Sequence, residues 1–443
     1  MVNRCWGIAL LVQTVSGIAA AGAQAVPQPQ RGERSVTLAE AIRLSERSQP
    51  DVVRATADVR TAGAQVRSAW GSYLPTLSAS SSASSFFSEG TSRIDPITGQ
   101  LTSGNSSNRS ISTSLSASLD LFTGFRRGAD MRAARSGEDA ANASLIDARF
   151  QQALTTTNQF LDALAATQLV RVREASVRRA EEQLKTSVAK LRAGSATRSD
   201  SLRSLVTLGS ARLDLITTQA QLATAEANLA RLIGVSGRVQ AADDSAFYGT
   251  MAVVDTQALR IEAEAKSPRV RSAAANASAA RATVRAARSA YWPSLTLAAN
   301  TGWNGSRAND YSLLNQRQLS LSLRWNLFNG FDRELTIVQR EADVDLAEAT
   351  ASDAQRAVQA ELITGVAGLD AARQRIEITK VSVAAATEDL RVQQERYRLG
   401  ASTIVDLLTS QEALNQAEVD VVNARFDYLR AKAQLEALIG RNL

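Results

Sequence analysis

The chain has 443 residues with no histidine and a single cysteine, and its 50 basic and 44 acidic residues give a net charge of +6. Without histidine, and with Cys5 as the only thiol, a Ser/His or Cys/His catalytic pair and the common zinc sites are excluded. Basic and acidic residues are interleaved along the chain, which favours solvated helix faces over a nucleic-acid-binding surface. We therefore expect no enzymatic activity, no cofactor, no metal site and no nucleic-acid partner.

Residues 1–25 have the features of a secretory signal peptide. Arg4 lies in a short basic region, an apolar stretch follows, and the small residues Ala23 and Ala25 give two alternative cleavage positions. Cys5 lies within this segment, so the mature chain is expected to have no disulfide bond and no lipid-accepting cysteine. The mature protein is thus predicted to leave the cytoplasm.

Alternation of apolar and polar residues predicts strands in both halves of the chain. From Ile111 to Leu121 apolar or Thr side chains alternate with Ser and Asp, and the segment from Leu319 to Leu327 repeats the pattern. A period of two over about ten residues is typical of transmembrane barrel strands. Strands are predicted at about 76–87, 109–122, 294–303 and 317–328. A soluble antiparallel hairpin, or a flexible linker in the Ser-rich part, is the alternative interpretation.

The tryptophans support membrane strands over these alternatives. The four beyond the predicted signal peptide lie in or beside the alternating segments, where an aromatic girdle is expected in a membrane barrel. They are Trp70, Trp292, Trp303 and Trp325.

Between and after the strands, the sequence predicts very long helices. Large residues recur at every seventh position from Leu362 to Tyr397, and similarly from Leu208 to Leu229, with small residues three positions later in the arms that follow the tips. This heptad pattern indicates closely packed coiled-coil arms. No proline occurs between Pro96 and Pro268, so an arm can run unbroken for ~100 Å at 1.5 Å per residue.

Two similar stretches interrupt these arms, LRAGSATRSD at 191–200 and YRLGASTIVD at 397–406. In each, a glycine can end one helix in the left-handed conformation, and a Thr followed three residues later by Asp can cap the next helix. Each stretch is therefore predicted to be the tip of a helical hairpin. The residues concerned are Gly194, Thr197 and Asp200 in the first tip, and Gly400, Thr403 and Asp406 in the second.

The chain is thus predicted to be an internal duplication. The first structural repeat spans 26–235 and the second 256–443, and segment 236–255 between them is expected to belt the middle of the helical part. Four strands cannot close a membrane barrel, because the smallest have about eight. An open sheet edge in lipid would also leave backbone groups unsatisfied. We therefore expect the chain to oligomerise in lipid, and a homotrimer would supply twelve strands.

The paired LFxGF strand exits, the tandem RxGxxTxxD tips and the opening TLAEAIRLSERSQPDV resemble the TolC family of outer-membrane efflux and secretion channels. The resemblance covers essentially the whole mature chain. It implies a mainly α fold with transmembrane β-strands, in which long coiled-coil hairpins form a periplasmic α-barrel below a 12-stranded β-barrel. This barrel would be shared by a homotrimer and would contact outer-membrane lipid.

The same resemblance implies passive conduction of substrates out of the cell. A periplasmic adaptor would meet the tips, and an inner-membrane pump of the RND, ABC or MFS type would supply the energy. A type I protein secretion exit duct is the alternative within the family. A non-conducting envelope-spanning structural protein or adhesin is the alternative from a different class.

Residue by residue, the resemblance places a periplasmic gate at the tips. Asp406 matches a position that can form a carboxylate ring, and Tyr397 and Asp200 match a pair that can link neighbouring hairpins in the closed state. Helix capping alone is the alternative role of both acids. Thr409 and Ser402 stand where some relatives have a second acid and an arginine, from which we hypothesise a leakier resting state. Adaptor docking is expected at Gly194, Ser195, Thr197, Gly400, Ala401 and Thr403.

Overall fold

The structure is a computed structural model that describes residues 34–441, with gaps. The residues left out within that range are 92, 95, 98, 103–105, 245–258, 260–262, 264–265 and 307–311. The predicted signal peptide, 1–25, and the later part of the predicted inter-repeat segment, 236–255, therefore lie outside the described residues.

The two halves of the chain repeat one order of elements, in which a helix leads into two long strands and these lead into a helical hairpin. The elements of the first half are β1 Arg34–Val36, α1 Leu38–Ser48, α2 Pro50–Gly71, β2 Thr76–Ser88, β3 Arg93–Ile94, β4 Leu101–Thr102, β5 Ser106–Phe122, α3 Arg126–Arg192 and α4 Arg198–Leu232. Those of the second half are β6 Val239–Ala241, α5 Pro268–Arg288, a 3-10 turn Ser289–Tyr291, β7 Ser294–Ser306, β8 Leu314–Arg324, α6 Asp332–Arg398 and α7 Ile404–Ile439.

The four long strands form one antiparallel sheet in the order β2-β5-β7-β8. Strand β8 ends at Arg324, whereas the predicted strand continues to residue 328. The pairing stops here because Arg324 lies opposite Ser294, where β7 begins, and Pro293 before it has no N–H to continue the ladder. The indole N–H of Trp325 donates to the carbonyl oxygen of Tyr291 over 3.2 Å. The strand is therefore shorter at this end than predicted.

Each hairpin is entered through a strand-to-helix turn with an unusual backbone. Gly124 and Phe125 both have positive φ, as do Gly330 and Phe331 in the second half. A phenylalanine in the left-handed region is strained, since its Cβ approaches its own backbone. We call these two pairs the elbows.

Helices α3 and α6 each have 67 residues, so each is ~100 Å long at 1.5 Å per residue. Helix α3 pairs with α4 to form the first hairpin, α6 pairs with α7 to form the second, and α3 packs on α7. Of the predicted heptad side chains of α6, Val383 is half-buried and the others are buried, namely Leu362, Leu369, Ile376, Leu390 and Tyr397. Among the described residues, no helix combines enough length and apolarity to cross a membrane.

The largest side chains of the core lie near the middle of the hairpins. Phe160 and Leu164 of α3 pack with Leu229 of α4 and Phe426 of α7 in one cluster. Strands β1 and β6 pair in parallel on this cluster and contribute Val36 and Val239, both fully buried, to it. This pairing ties the start of the first repeat to the chain that leaves it.

Two glycines of α6 test the close packing within the second hairpin. A Cβ added to Gly365 would lie 2.8 Å from Cδ2 of Leu435, which is fully buried, whereas Gly368 has open space around it. We expect Gly365→Ala to lower the thermal midpoint of unfolding, because overpacking costs about 1–3 kcal/mol. Gly368→Ala is expected to raise it, since alanine favours a helix by about 1 kcal/mol over glycine.

The thermal unfolding of both variants in detergent is monitored by circular dichroism. A Gly365→Ala protein as stable as Gly368→Ala would contradict the packing of α6 on α7.

Candidate functional site

Both hairpin tips are closed by the same turn. Gly194 and Gly400 have φ of +74° and +78°, in the left-handed region that favours glycine. In the first tip the N–H of Ser195 donates to the carbonyl oxygen of Lys190 over 2.9 Å, and Ala401 makes the matching bond in the second tip. These bonds end the long helices in the manner of a Schellman motif.

The second helix of each hairpin starts with a capping box. The N–H of Asp200 donates to Oγ1 of Thr197 over 3.3 Å, and the N–H of Thr197 donates back to Oδ2 of Asp200 over 3.0 Å. Asp406 and Thr403 make the same two bonds, of 3.2 and 3.0 Å. Both acids therefore cap a helix, and each satisfies a backbone N–H that the helix itself leaves free.

Asp406 has one contact more than Asp200. The hydroxyl of Thr403 donates to Oδ2 of Asp406 over 2.8 Å. This bond, then the bond from the N–H of Thr403, and then the charge of Arg396 lower the pKa of the Asp406 carboxyl below its ordinary value. Asp406 is exposed and carries a negative charge at neutral pH. In the described part of the chain, no cluster of His, Cys, Asp or Glu side chains could hold a metal ion.

Within the single chain Tyr397 makes no hydrogen bond to Asp200. Tyr397 is buried, and its hydroxyl has no hydrogen-bond partner among the described residues. The ammonium of Lys190 lies 4.3 Å from the centre of the Tyr397 ring and also donates to the Tyr397 carbonyl oxygen. Lys190 of the first hairpin thus holds Tyr397 of the second by a cation–π contact and a hydrogen bond.

A second polar contact joins the hairpins further from the tips. The guanidinium of Arg179 on α3 donates to both carboxylate oxygens of Glu418 on α7, over 2.6 and 3.1 Å, and to Oδ1 of Asn415 over 2.7 Å. The Arg179 and Glu418 side chains are only 22% and 24% exposed. A two-bond pair shielded in this way is stronger than an ordinary surface salt bridge.

Sequence reasoning missed both contacts between the hairpins. Lys190 and Tyr397 are 207 residues apart, and Arg179 and Glu418 are 239 apart. Side chains of these types are common on helix surfaces. Residues this far apart also show no local spacing that could identify either pair in a single sequence.

The four-stranded sheet has one polar and one apolar face. On the polar face, hydroxyl groups of β2 and β5 pair across the strands at 2.8 Å. These pairs are Ser80 with Ser114, Ser82 with Ser112, and Ser84 with Ser110. By register, the charged residues on this face of the described strands are Asp120 and Arg324, both at the end next to the helices. The opposite face carries exposed leucines, among them Leu77, Leu115, Leu319, Leu321 and Leu323.

Comparison with known proteins identifies the family of this chain. The family model described as outer membrane efflux protein matches residues 41–235 and 259–441. The chain belongs to this family. The prediction of an outer-membrane channel for efflux, with its helical part in the periplasm, is confirmed.

Individual relatives match over nearly the full length. The pyoverdine export outer membrane protein OpmQ of Pseudomonas putida is 26% identical over 449 residues, which cover 95% of this chain and 90% of that protein. The protein CyaE of Bordetella pertussis is 28% identical over 94% of this chain and 85% of its own length. The open-state MtrE outer membrane channel of Neisseria gonorrhoeae superposes with a TM-score of 0.75, covers 92% of this chain and 89% of its own, and shares the fold at 19% identity.

Substitution of Thr403 tests the capping and the pKa of Asp406 together. Thr403→Ala removes the cap of α7, which typically costs about 1 kcal/mol, and raises the pKa of Asp406 towards its ordinary value. A lowered carboxyl pKa stabilises the folded tip above the ordinary pKa, and this contribution is lost as the pH falls through the folded value. We therefore expect faster amide exchange at the second tip in the variant at neutral pH, and a smaller difference from wild type below pH 3.8, the ordinary value of the group.

Hydrogen exchange of tip peptides, corrected for the intrinsic effect of pH, measures this difference. Thr197→Ala is the matched control, because it removes the cap of the first tip and leaves the second unchanged. A difference at the second tip that stays constant with pH would contradict the role of Thr403 in holding the Asp406 charge.

Proposed function

We propose that three copies of the chain form a twelve-stranded outer-membrane barrel, continued by a helical barrel, through which substrates leave the cell passively. The observation that carries this assembly is the open sheet. Strands β2 and β8 each pair with a single neighbour, so the outer edge of each is free in the single chain. In lipid such edges leave backbone groups unsatisfied, and pairing β8 of one copy with β2 of the next removes them.

The junctions between strands and helices support the same assembly. Within the chain, a Cβ on Gly124 would lie 2.6 Å from Cβ of Trp292, and the Phe125 ring meets the Trp292 ring edge-on at 5.6 Å. The equivalent Gly330 of the second repeat has open space around it. Leu74, which precedes Pro75 as Trp292 precedes Pro293, is exposed. A neighbouring copy would bring Leu74 to Gly330, so one contact would be made alternately within and between chains.

The tips are proposed to form the periplasmic gate. Asp406 is an exposed, charged carboxylate at the end of the second hairpin, so three copies can place a ring of negative charge there. Tyr397 and Asp200 are the proposed links between neighbouring hairpins of the closed assembly. Within the chain, the contacts of Lys190 with Tyr397 and of Arg179 with Glu418 also hold the two hairpins together. The hypothesis of a leaky resting state assumes that few contacts link the hairpins at the closed gate. The Lys190–Tyr397 and Arg179–Glu418 contacts add to that number. Opening is then a shift to a splayed packing, favoured by a partner that binds it.

A periplasmic adaptor, coupled to an inner-membrane pump of the RND, ABC or MFS type, is the proposed partner of the tips. The six small residues assigned to docking are all exposed, namely Gly194, Ser195, Thr197, Gly400, Ala401 and Thr403. An open groove of about 900 Å³ runs beside them between α4 and α7 and is lined by apolar side chains such as Leu202, Val206 and Val405. Helical hairpins pack in apolar grooves of this kind. The similarity to a protein named for pyoverdine export supports an export role.

Two neighbouring serines test whether the polar sheet face lines the conduit. Ser80 bonds to Ser114 on the polar face, and Ser81 bonds to Thr113 on the other face. Because the only native cysteine lies in the predicted signal peptide, an introduced cysteine is the only thiol of the mature chain. We expect a charged, membrane-impermeant thiol reagent to lower the conductance of Ser80→Cys in a planar bilayer and to leave Ser81→Cys unchanged. The opposite result would place the leucine face inside.

The assembly itself is tested by the mass of the mature protein extracted from outer membranes. Light scattering in mild detergent, corrected for bound detergent, is expected to give three chains per particle, since three copies supply twelve strands. A monomer that stays in solution without detergent would overturn the shared barrel.

A further inference from the structure

In the described strands, the polar face of the sheet carries charge only at the end next to the helices. Its charged residues are Asp120 on β5 and Arg324 on β8, and its other side chains are mostly those of Ser, Thr, Asn and Gln. Arg324 is the last residue of β8 and lies opposite Ser294, the first residue of β7. Because α5 ends shortly before β7 and α6 begins shortly after β8, the helical part joins the sheet at this end.

The two charged side chains are held differently. The hydroxyl of Thr296 donates to Oδ1 of Asp120 over 2.8 Å, so the short acidic side chain is fixed close to its strand. Arg324 is exposed, its neighbour Ser294 across the strands is uncharged, and it makes no ion pair within the described part of the chain. A guanidinium stays protonated in proteins. Its positive charge is therefore not neutralised by an acid of the same chain.

The size of the proposed barrel gives this charge a consequence. Twelve strands spaced ~4.8 Å apart and tilted by ~40° enclose a backbone radius of ~12 Å. An extended arginine side chain spans about half of that radius at standard bond lengths, whereas the serines of this face stay close to the wall. Three copies of Arg324 would therefore narrow the conduit where the helices join the barrel and bring positive charge near its axis.

We propose that Arg324 of the three copies forms a cationic ring at this inner mouth of the barrel, and that the ring makes the conduit favour anionic substrates. Rings of Arg or Lys side chains select anions in pores. An ion that passes ~5 Å from a unit charge in water has its local concentration changed about fourfold. Asp120 opposes this effect less, because its shorter side chain is bonded to Thr296 at the wall. The inference rests on the proposed function, since a ring requires the trimer.

Reversal potentials of the wild-type protein and its variants in a planar bilayer, under a gradient of potassium chloride, test the ring. Arg324→Gln is expected to lower the chloride-to-potassium permeability ratio by at least about threefold. Arg324→Lys is expected to keep the ratio, because lysine carries the same charge. Arg317→Gln is the matched control. It removes the same charge from the same strand, but residue 317 lies by register on the opposite face with Leu319 and Leu321, so the ratio is expected to stay unchanged.

The Asp406 carboxylates are the same in all these variants, so the differences report on positions 317 and 324 alone. A ratio that Arg324→Gln leaves unchanged, or that Arg317→Gln lowers equally, overturns the ring.

Chemical modification of an assembled channel gives a second measurement that does not depend on how a variant folds. Because Cys5 lies in the predicted signal peptide, Arg324→Cys provides the only thiol of the mature chain. A cationic methanethiosulfonate reagent is expected to raise the permeability ratio of this variant, and an anionic one to lower it. The same response to both reagents overturns the ring.

The recordings also separate this inference from the proposed function. A trimer that conducts with a ratio insensitive to the charge at position 324 overturns the ring and leaves the channel intact. A wild-type protein that does not conduct overturns the proposed channel, and the ring with it.

Discussion

The antiparallel pairing of β5 with β7 is the contact on which the rest of the structure depends. It joins the two repeats into one sheet, with Ser114 opposite Gly302 and Leu115 opposite Thr301. Because side chains alternate between faces, this register places most of the hydroxyl and amide groups of the four strands on one side. A slip by one residue would move leucines onto that side. The same pairing sets the two strand exits near each other, so that both hairpins leave the sheet together and α3 can pack on α7.

Most of the fold can be predicted from the sequence because the patterns that define its elements are local. Heptads and the absence of proline define the long arms, and the Gly and Thr-x-x-Asp spacing defines the tips. The end of β8 escapes such reasoning, since it depends on where the partner strand β7 begins, at Ser294. Tyr397 shows the limit at the site. It is the last residue of a heptad series and also a predicted gate residue, and only the three-dimensional packing shows that Lys190 of the other hairpin contacts it.

The two kinds of contact in the helical part have different mechanical meanings. Within each hairpin, apolar heptad side chains interlock along the length, as in the cluster of Leu390, Tyr397, Ile404, Leu407 and Leu414. Near the tips, polar contacts such as those of Arg179 and Lys190 join one hairpin to the other. Polar contacts with defined geometry can be broken and remade, whereas interlocked cores resist gradual deformation. The tip end of each hairpin is therefore suited to move as a rigid unit against its neighbour, whereas the apolar cluster of Phe160 and Phe426 joins the hairpins at their middle.

The strained phenylalanines of the elbows acquire significance from the length of the helices attached to them. Phe125 and Phe331 hold φ values of 66° and 68° directly before helices of 67 residues. Such a helix is a lever of ~100 Å, so a rotation of about 5° at its base would displace its far end by ~9 Å. If the elbow permitted several backbone angles, the far ends of the helices would vary in position by distances comparable to the width of a helix. By confining the backbone angle, the strained Phe125 and Phe331 align the hairpin tips at the opposite end of the long helices.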